Sequence, residues 1–373
     1  MNFAEILRPL DAPDAKHLRQ TVELLTSFPT RNSLSPTCRP ACEALAYQLR
    51  QHKALQVELM DYTLPKGRRI PEDTPCQNVI ATLKGTRPNR IIIGGHLDSL
   101  NLQVQPTEGP APGANDDASG VAVTAELARI LSNVTHPNTL QFIAFTGEEQ
   151  GLLGSTAIAK RAVEESWIID AVLSNDTVGS SSNKSGQKDA SRIRIFSEEA
   201  ENHNSRELAR FAELIVRETQ KDFRIKLVFR RDRFGRGGDH TPFANAGFNA
   251  IRFIEVHEEF TRQHTPDDLI EHMDFDYLAR VASANLAIMA TLAQAEDAPT
   301  AVKIKLDQTH DTKITWQANP GQKYVVYYRE TTSPTWQGVI PVGEADSHTV
   351  KLVNKDDHIF AVGAEYGVPL EAK

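Results

Sequence analysis

Between Lys16 and about Gln51 the apolar residues fall at helical spacing in two stretches, interrupted by FPTRNSLSPT. ALQVELMDYTL (54–64) then alternates, as a strand with one wet face does, and NVIATLKG (78–85) predicts its neighbour. Unbroken apolar runs follow: RIIIGG (90–95), LQFIAFT (140–146) and WIIDAVLS (167–174). Short continuous runs suit strands buried on both faces, with helices between them. SGVAVTAELARILSN (119–133) has the spacing of such a helix, with Ser119 as candidate N-cap. SRELARFAELIVRETQ (205–220) and FDYLARVASANLAIMATLA (275–293) predict further helices; RIKLVFR (224–230) and NAIRFIEV (249–256) predict further strands. The alternation predicts an α/β fold, a mostly parallel mixed central sheet flanked by helices.

After about Ala295 the pattern changes. AVKIKLD, KITWQA, KYVVYYRE, GVIPVG, HTVKLV and HIFAVGAE are short β-rich runs, separated by turn residues such as NPG (319–321) and NKDD (354–357). No helix-length pattern interrupts them. The expectation is two domains: a large one over 1–295 and a small β-sandwich over 296–373, joined by the polar QAEDAPT (294–300).

Composition narrows the function classes. A net charge of −8 supplies no broad positive field for nucleic acid, and no run approaches the ~18 apolar residues of a membrane span. The opening MNFAEILRPLDAPDAKHL lacks a basic region followed by a long apolar core, so no signal peptide is expected in this chain. Either the protein stays inside the cell, or this is the mature form of an exported one. Cys38, Cys42 and Cys76 have no zinc-ribbon spacing, and an odd count argues against a complete disulfide framework.

The polar residues at the strand ends change the picture. His96 and Asp98 follow the run ending at Gly95, Glu148 and Glu149 follow LQFIAFTG, and Asp176 follows WIIDAVLSN. In open α/β sheets, sites form outside the carboxyl ends of the strands. APGANDDASG (111–120) adds Asp116 in a turn before a helix, and RQHTPDD (262–268) adds His264. The pool His96, Asp116, Glu149, Asp176 and His264 offers nitrogen and oxygen donors without thiolate, which suits zinc and related divalent metals. With one bridging carboxylate, five such residues serve two metals about 3.5–4 Å apart. Competing motifs are absent: HEEFT is not H-E-x-x-H, GLLGST lacks the P-loop lysine, and no G-x-S-x-G occurs.

GGHLDS, APGANDDASG, FTGEEQGLLGS, NDTVG, GRGGDHTPF and QHTPDD, in this order, resemble the successive motifs of the M28 family of co-catalytic metallo-aminopeptidases, the bacterial leucyl-aminopeptidase-like enzymes. The likeness runs from about Phe28 to the helix ending near Ala295. The tail, with YRETTSPTW and VIPVG, resembles the fibronectin-III-like module carried by some of these enzymes. The resemblance implies two zinc ions and peptide substrates opened from the N-terminus. It implies His96 and Asp176 on one zinc, Glu149 and His264 on the other, and Asp116 as the bridge. Glu148 is then the general base toward a metal-activated water. Asp98 is expected to accept a hydrogen bond from the second ring nitrogen of His96.

Two further residues are candidates for substrate contact. GRGGDH (235–240) places Asp239 either near the substrate or as the cap of a following helix, and Glu255, at the end of RFIEV, is a candidate partner for a substrate α-ammonium. Rival readings are a carboxypeptidase, for which Arg231, Arg233 and Arg236 offer cations, a glutaminyl-cyclase-like enzyme working with one zinc, or a binding module that has kept the fold.

Overall fold

The structure is a computed structural model that describes residues 1–104, 109–198, 200, 202–307 and 309–373. Eight strands form one sheet: β1 (Gln56–Leu64), β2 (Thr74–Leu83), β3 (Arg90–His96), β4 (Thr139–Phe145), β5 (Ile169–Asn175), β6 (Arg192–Phe196), β7 (Arg224–Val228) and β8 (Ala250–Glu255). Their order is β1-β2-β4-β3-β5-β8-β6-β7. The centre, β4-β3-β5-β8, is parallel throughout, whereas β1, β2 and β4 pair antiparallel and β6 runs against β8. The expected mostly parallel mixed sheet is therefore present.

The unbroken apolar runs have a direct structural cause. Ile91 and Ile93 point into one core and Ile92 into another, because successive side chains on a strand take opposite faces. On the first face lie α2 (Ala15–Thr26), α3 (Cys38–Arg50), α4 (Ser119–Leu131), α6 (Ser205–Thr219) and α8 (Phe275–Leu292); the short α1 (Phe3–Leu7) joins them through Phe3. On the second lie α5 (Leu153–Glu164) and α7 (His240–Asn245), through Ile158, Ala159, Phe243 and Ala244. Cys38, Cys42 and Cys76 are buried free thiols in the first core.

Three expectations change. The strand RIRIF (β6) and the helix LGSTAIAKRAVE (α5) have no counterpart in the periodicity reading. Ser119 is not the N-cap of α4. The carboxylate of Asp117 accepts from Gly120 N at 2.9 Å and takes that role, while the Ser119 hydroxyl donates back to Asn115 O at 2.7 Å. A capping oxygen must reach over the first turn, and Asp117 stands one step further out to do so.

Beyond α8 every element is a strand: β9 (Thr300–Ile304), β10 (Thr312–Gln317), β11 (Tyr324–Glu330), β12 (Gly338–Gly343), β13 (Ser347–Val350), β14 (His358–Ala364) and β15 (Leu370–Glu371). They form a three-stranded sheet β13-β10-β9 and a four-stranded sheet β12-β11-β14-β15, with Val302, Ile314, Trp316, Val326 and Phe360 in a shared core. The four-stranded sheet is buried on its other side too. Val325, Tyr327 and Ala361, with Trp336, join the first core of the large sheet, and the Tyr327 ring meets Phe211 of α6 edge-on at 6.3 Å.

The site depends on how closely α4 approaches β3. A Cβ on Gly95 would stand 2.7 Å from Asp117 Oδ2, 2.7 Å from Gly120 C and 2.8 Å from Val121 N, so only glycine fits there. Gly95→Ala is expected to destabilise the fold by about 1–3 kcal/mol, the usual scale for overpacking. The midpoint of denaturant unfolding checks it, and an unchanged midpoint would mean that the helix is free to shift.

Candidate metal centre

The parallel strands β3, β4 and β5 end side by side, and their last residues lead straight into the site. His96 closes β3, Glu148 and Glu149 follow β4 after one turn through Gly147, and Asp176 follows β5. Gly147 sits at φ 68°, a left-handed conformation that reverses the chain immediately after the strand. Asp116 lies in the turn Ala114–Ala118 before α4, and His264 comes from the loop after β8.

All five pool residues meet. His96 Nε2 lies 3.1 Å from Asp116 Oδ1 and 3.8 Å from Asp176 Oδ1. His264 Nε2 lies 3.1 Å from Asp116 Oδ2 and 3.2 Å from Glu149 Oε1. Three candidate triads have donor atoms within 4.8 Å of one another: His96–Asp116–Asp176 and Asp116–Glu149–His264, which share Asp116, and His96–Glu148–Glu149. His96, Asp116, Glu149 and Asp176 are all buried.

The donor set fits a pair of divalent ions. Asp116 Oδ2, Glu149 Oε1 and Asp176 Oδ1 are buried and make no hydrogen bond among the described residues. Leaving such oxygens unsatisfied is costly unless a cation meets them. Charge points the same way. Burial lowers the His264 imidazole, but Asp116 and Glu149 outweigh it and push it up to about 11. Burial also lowers His96, yet Asp116 and Asp176 raise it well above its ordinary range. The cluster calls for positive charge at both histidines.

Glu148 differs from its neighbour. Its carboxylate makes no hydrogen bond or ion pair among the described residues, and it lines the same cleft of about 830 Å³ as His96, Asp116, Glu149, Asp176 and His264. Burial pushes it well above the usual carboxylate range; Glu149, Asp176 and Asp239 add to this and His96 opposes.

Asp98 requires a correction. His96 Nδ1 lies 3.0 Å from the main-chain carbonyl of Asp98 and 3.8 Å from its carboxylate. The carboxylate instead accepts from Glu148 N at 3.3 Å and Glu149 N at 3.2 Å. The residue holds the histidine through its backbone and the Glu-Glu turn through its side chain.

Neither proposed substrate contact lies in the cleft. Glu255 is 1 % exposed; its carboxylate accepts from Asn115 Nδ2 at 3.0 Å and Ser180 N at 2.9 Å. It lines a separate cavity of about 20 Å³, room for a water and no α-ammonium carrier. Asp239 precedes α7 without capping it and is buried, with burial raising its carboxyl to about 7. Gly235 and Gly237 of the same loop line the cleft in its place.

Several supporting residues were not singled out by sequence. Asp117 accepts from His96 N at 3.0 Å and Thr177 N at 3.1 Å as well as from Gly120. Asp268 accepts from Asp116 N at 2.9 Å and Asn115 N at 3.0 Å. Arg31, fully buried, donates to the carbonyls of Leu97 and Gly113 and clamps the loop after β3 to the turn before Asp116. Arg252 bonds Asp176 Oδ2 at 2.6 Å and Asp232 Oδ2 at 2.5 Å from the middle of β8. A lone arginine inside the apolar AIRFIE was the signal for it.

Burial pushes Asp232 up, but Arg252, His240 and Arg233 outweigh it and hold its carboxyl at about 2. Its pairing therefore stabilises the fold fully above the ordinary value of 3.8 and is lost as pH falls toward 2. Arg252→Met strands two buried carboxylates and is expected to cost about 3–5 kcal/mol at pH 7. Isothermal denaturation checks this, and the gap from wild type should narrow between pH 5 and pH 2. A gap independent of pH would mean that the loss is one of packing alone.

A profile described as peptidase family M28 matches residues 78–289. A probable zinc metalloprotease of Pyricularia oryzae is 36% identical, over 96% of this chain and 81% of its own length. One from Leptosphaeria maculans is 34% identical over 96% of this chain and 93% of its own. Among solved structures, the LapA aminopeptidase of Legionella pneumophila superposes with a TM-score of 0.61 at 19% identity, covering 76% of this chain and 73% of that one. BSAP, a zinc aminopeptidase from Bacillus subtilis, superposes at 0.60 and 18% identity, covering 74% and 94%. These structures share the fold; the family rests on the profile and on the fungal relatives. With its two ligand triads joined at one carboxylate, the chain belongs to peptidase family M28, as a metallopeptidase.

Proposed function

We propose that the chain is a zinc-dependent aminopeptidase that removes N-terminal residues from peptides, with two zinc ions held by His96 and Asp176, by Glu149 and His264, and by Asp116 between them. The carrying observation is the sharing of Asp116 by two triads. The relatives' description as probable zinc metalloproteases supports zinc, and the aminopeptidases among the structural neighbours support a free N-terminus as the recognised end.

Bound metal supplies Lewis acidity toward the scissile carbonyl and an acidified water. The chain's residues do the rest. Glu148 takes a proton from the attacking water and delivers it to the departing amine. Its freedom from other partners leaves both oxygens available for that transfer. Asp98, bonded to the Glu148 and Glu149 amides, keeps base and ligand on one rigid turn.

A second reading has one specific support: Arg236, without a carboxylate partner among the described residues, lines the cleft, as a carboxypeptidase would need. Hydrolysis of leucine p-nitroanilide against its N-acetylated counterpart separates the two. Cleavage of only the free amine is expected; cleavage of acetylated peptides with a free carboxyl terminus would move the reading to a carboxypeptidase. Metal analysis should find about two zincs per chain. Glu148→Gln is expected to keep that content and lose at least ~10²-fold in kcat, the lower scale for a general base. Full activity in this variant would remove Glu148 from the mechanism. Chelation should abolish activity and lower the melting temperature, since bound metal stabilises the folded state by mass action; added zinc should restore both.

A further inference from the structure

The walls of the cleft carry a charge that hydrolysis does not require. In a chain with 49 acidic and 41 basic side chains, Lys66, Arg68, Arg69 and Arg236 all line this one cleft. None of the four has a carboxylate within ion-pair distance among the described residues. Their neighbours Arg233 and Arg252 are committed, the first to Asp232 and Glu258, the second to Asp176 and Asp232. The cleft's own carboxylates, Asp116, Glu148, Glu149 and Asp176, all belong to the metal centre on the floor.

The cations are placed for use by a substrate. Arg69 Nη1 donates to the main-chain carbonyl of Glu149 at 3.2 Å, which fixes one guanidinium beside a ligand-bearing turn. Arg236 Nη1 donates to Gln263 Oε1 at 3.0 Å, next to His264 on the facing loop, and its guanidinium lies over the Phe260 ring. A guanidinium so held keeps donors free for a planar carboxylate. A group bound at Arg69 is within about two residues of extended chain, ~7 Å, from the turn that carries Glu149.

We propose that these side chains form a carboxylate-binding wall, so that the enzyme prefers peptides with an anionic group one or two residues beyond the scissile bond. This rests on the peptidase reading. The anion is either an Asp or Glu side chain or the terminal carboxylate of a short peptide; the shared chemistry is the carboxylate. With the amine end at the metal centre and the carboxylate toward the basic wall, the cleft orients a short peptide end to end.

Three peptides read this out on the zinc-loaded protein: Leu-Ala-Gln amide, Leu-Ala-Glu amide, and Leu-Ala-Gln with a free carboxyl terminus. The wall predicts about tenfold higher kcat/KM for at least one carboxylate-bearing peptide over the neutral amide at low salt, the sum of a few exposed ion pairs. Which of the two gains distinguishes side chain from terminus. The gain should shrink in 0.5 M NaCl, and the ratio should fall toward one in the doubly substituted Arg69→Gln, Arg236→Gln protein. The same ratio is read as Kd by calorimetry on zinc-loaded Glu148→Gln, independently of turnover. Equal values for all three peptides, or a tenfold ratio that survives the double substitution, would overturn the wall and leave the peptidase reading intact. A binding ratio without hydrolysis of any peptide by the wild type would overturn the peptidase reading and keep the wall. Loss of both ends both.

Discussion

The carboxylate of Asp117 is the fixed point of the molecule. Wholly buried, it takes N–H donors from the end of β3, the start of α4 and the residue after Asp176, and so ties three segments together at one point. Two of these donors belong to a proposed ligand or its neighbour, His96 and Thr177. Two other aspartates repeat the device. Asp98 receives the amides of Glu148 and Glu149, and Asp268 receives those of Asn115 and Asp116. Carboxylates bonded to backbone thus hold the segments that carry the proposed ligands. Charge-assisted bonds to N–H are among the stronger ones available in a protein interior. They let the ligand side chains be placed by main chain, which is stiffer than any rotamer.

The close approach of α4 to β3 follows from the same constraint. Asp117 can receive His96 N and Gly120 N together only if helix and strand nearly touch, and Gly95 allows that. Sheet, helix and ligand cluster are therefore one mechanical unit. Arg31 and Arg252 extend it outward, the first to the carbonyls of the loops beneath, the second to Asp176 and Asp232.

How much of this was legible depends on the kind of signal. Strands β3, β4 and β5 announced themselves as apolar runs, and the polar residues that end them pointed to the pool at one sheet edge. Strand β6 is only five residues of RIRIF, and its alternation of charged and apolar positions suits a surface loop as well as a strand. Helix α5 starts after a left-handed Leu152 with no capping side chain, so no start signal marks it. Side-chain direction was the harder matter. Asp98 and Glu255 sit at strand ends like the ligands do, yet one turns to a neighbouring turn's amides and the other to Asn115 and Ser180. Which donor a buried carboxylate meets is decided by segments far away in the chain, and periodicity carries no record of them. The Asp116–Asp117 pair shows the limit: adjacent, chemically identical, and employed for opposite purposes.

The C-terminal strands share in the main core. Arg210 and Arg217 of α6 donate to the carbonyls of Pro334 and Trp336, while Tyr327 and Trp336 cover Phe211. A sandwich that met its neighbour only through a linker would show water one face of each sheet; here the four-stranded sheet has no wet face over α6. A chain ended at Ala295 would present a strip of aromatic and aliphatic surface to water, adhesive toward other copies of itself. The tail thus acts as a lining for the outer side of α6, and its strands belong to the same hydrophobic interior as the large sheet.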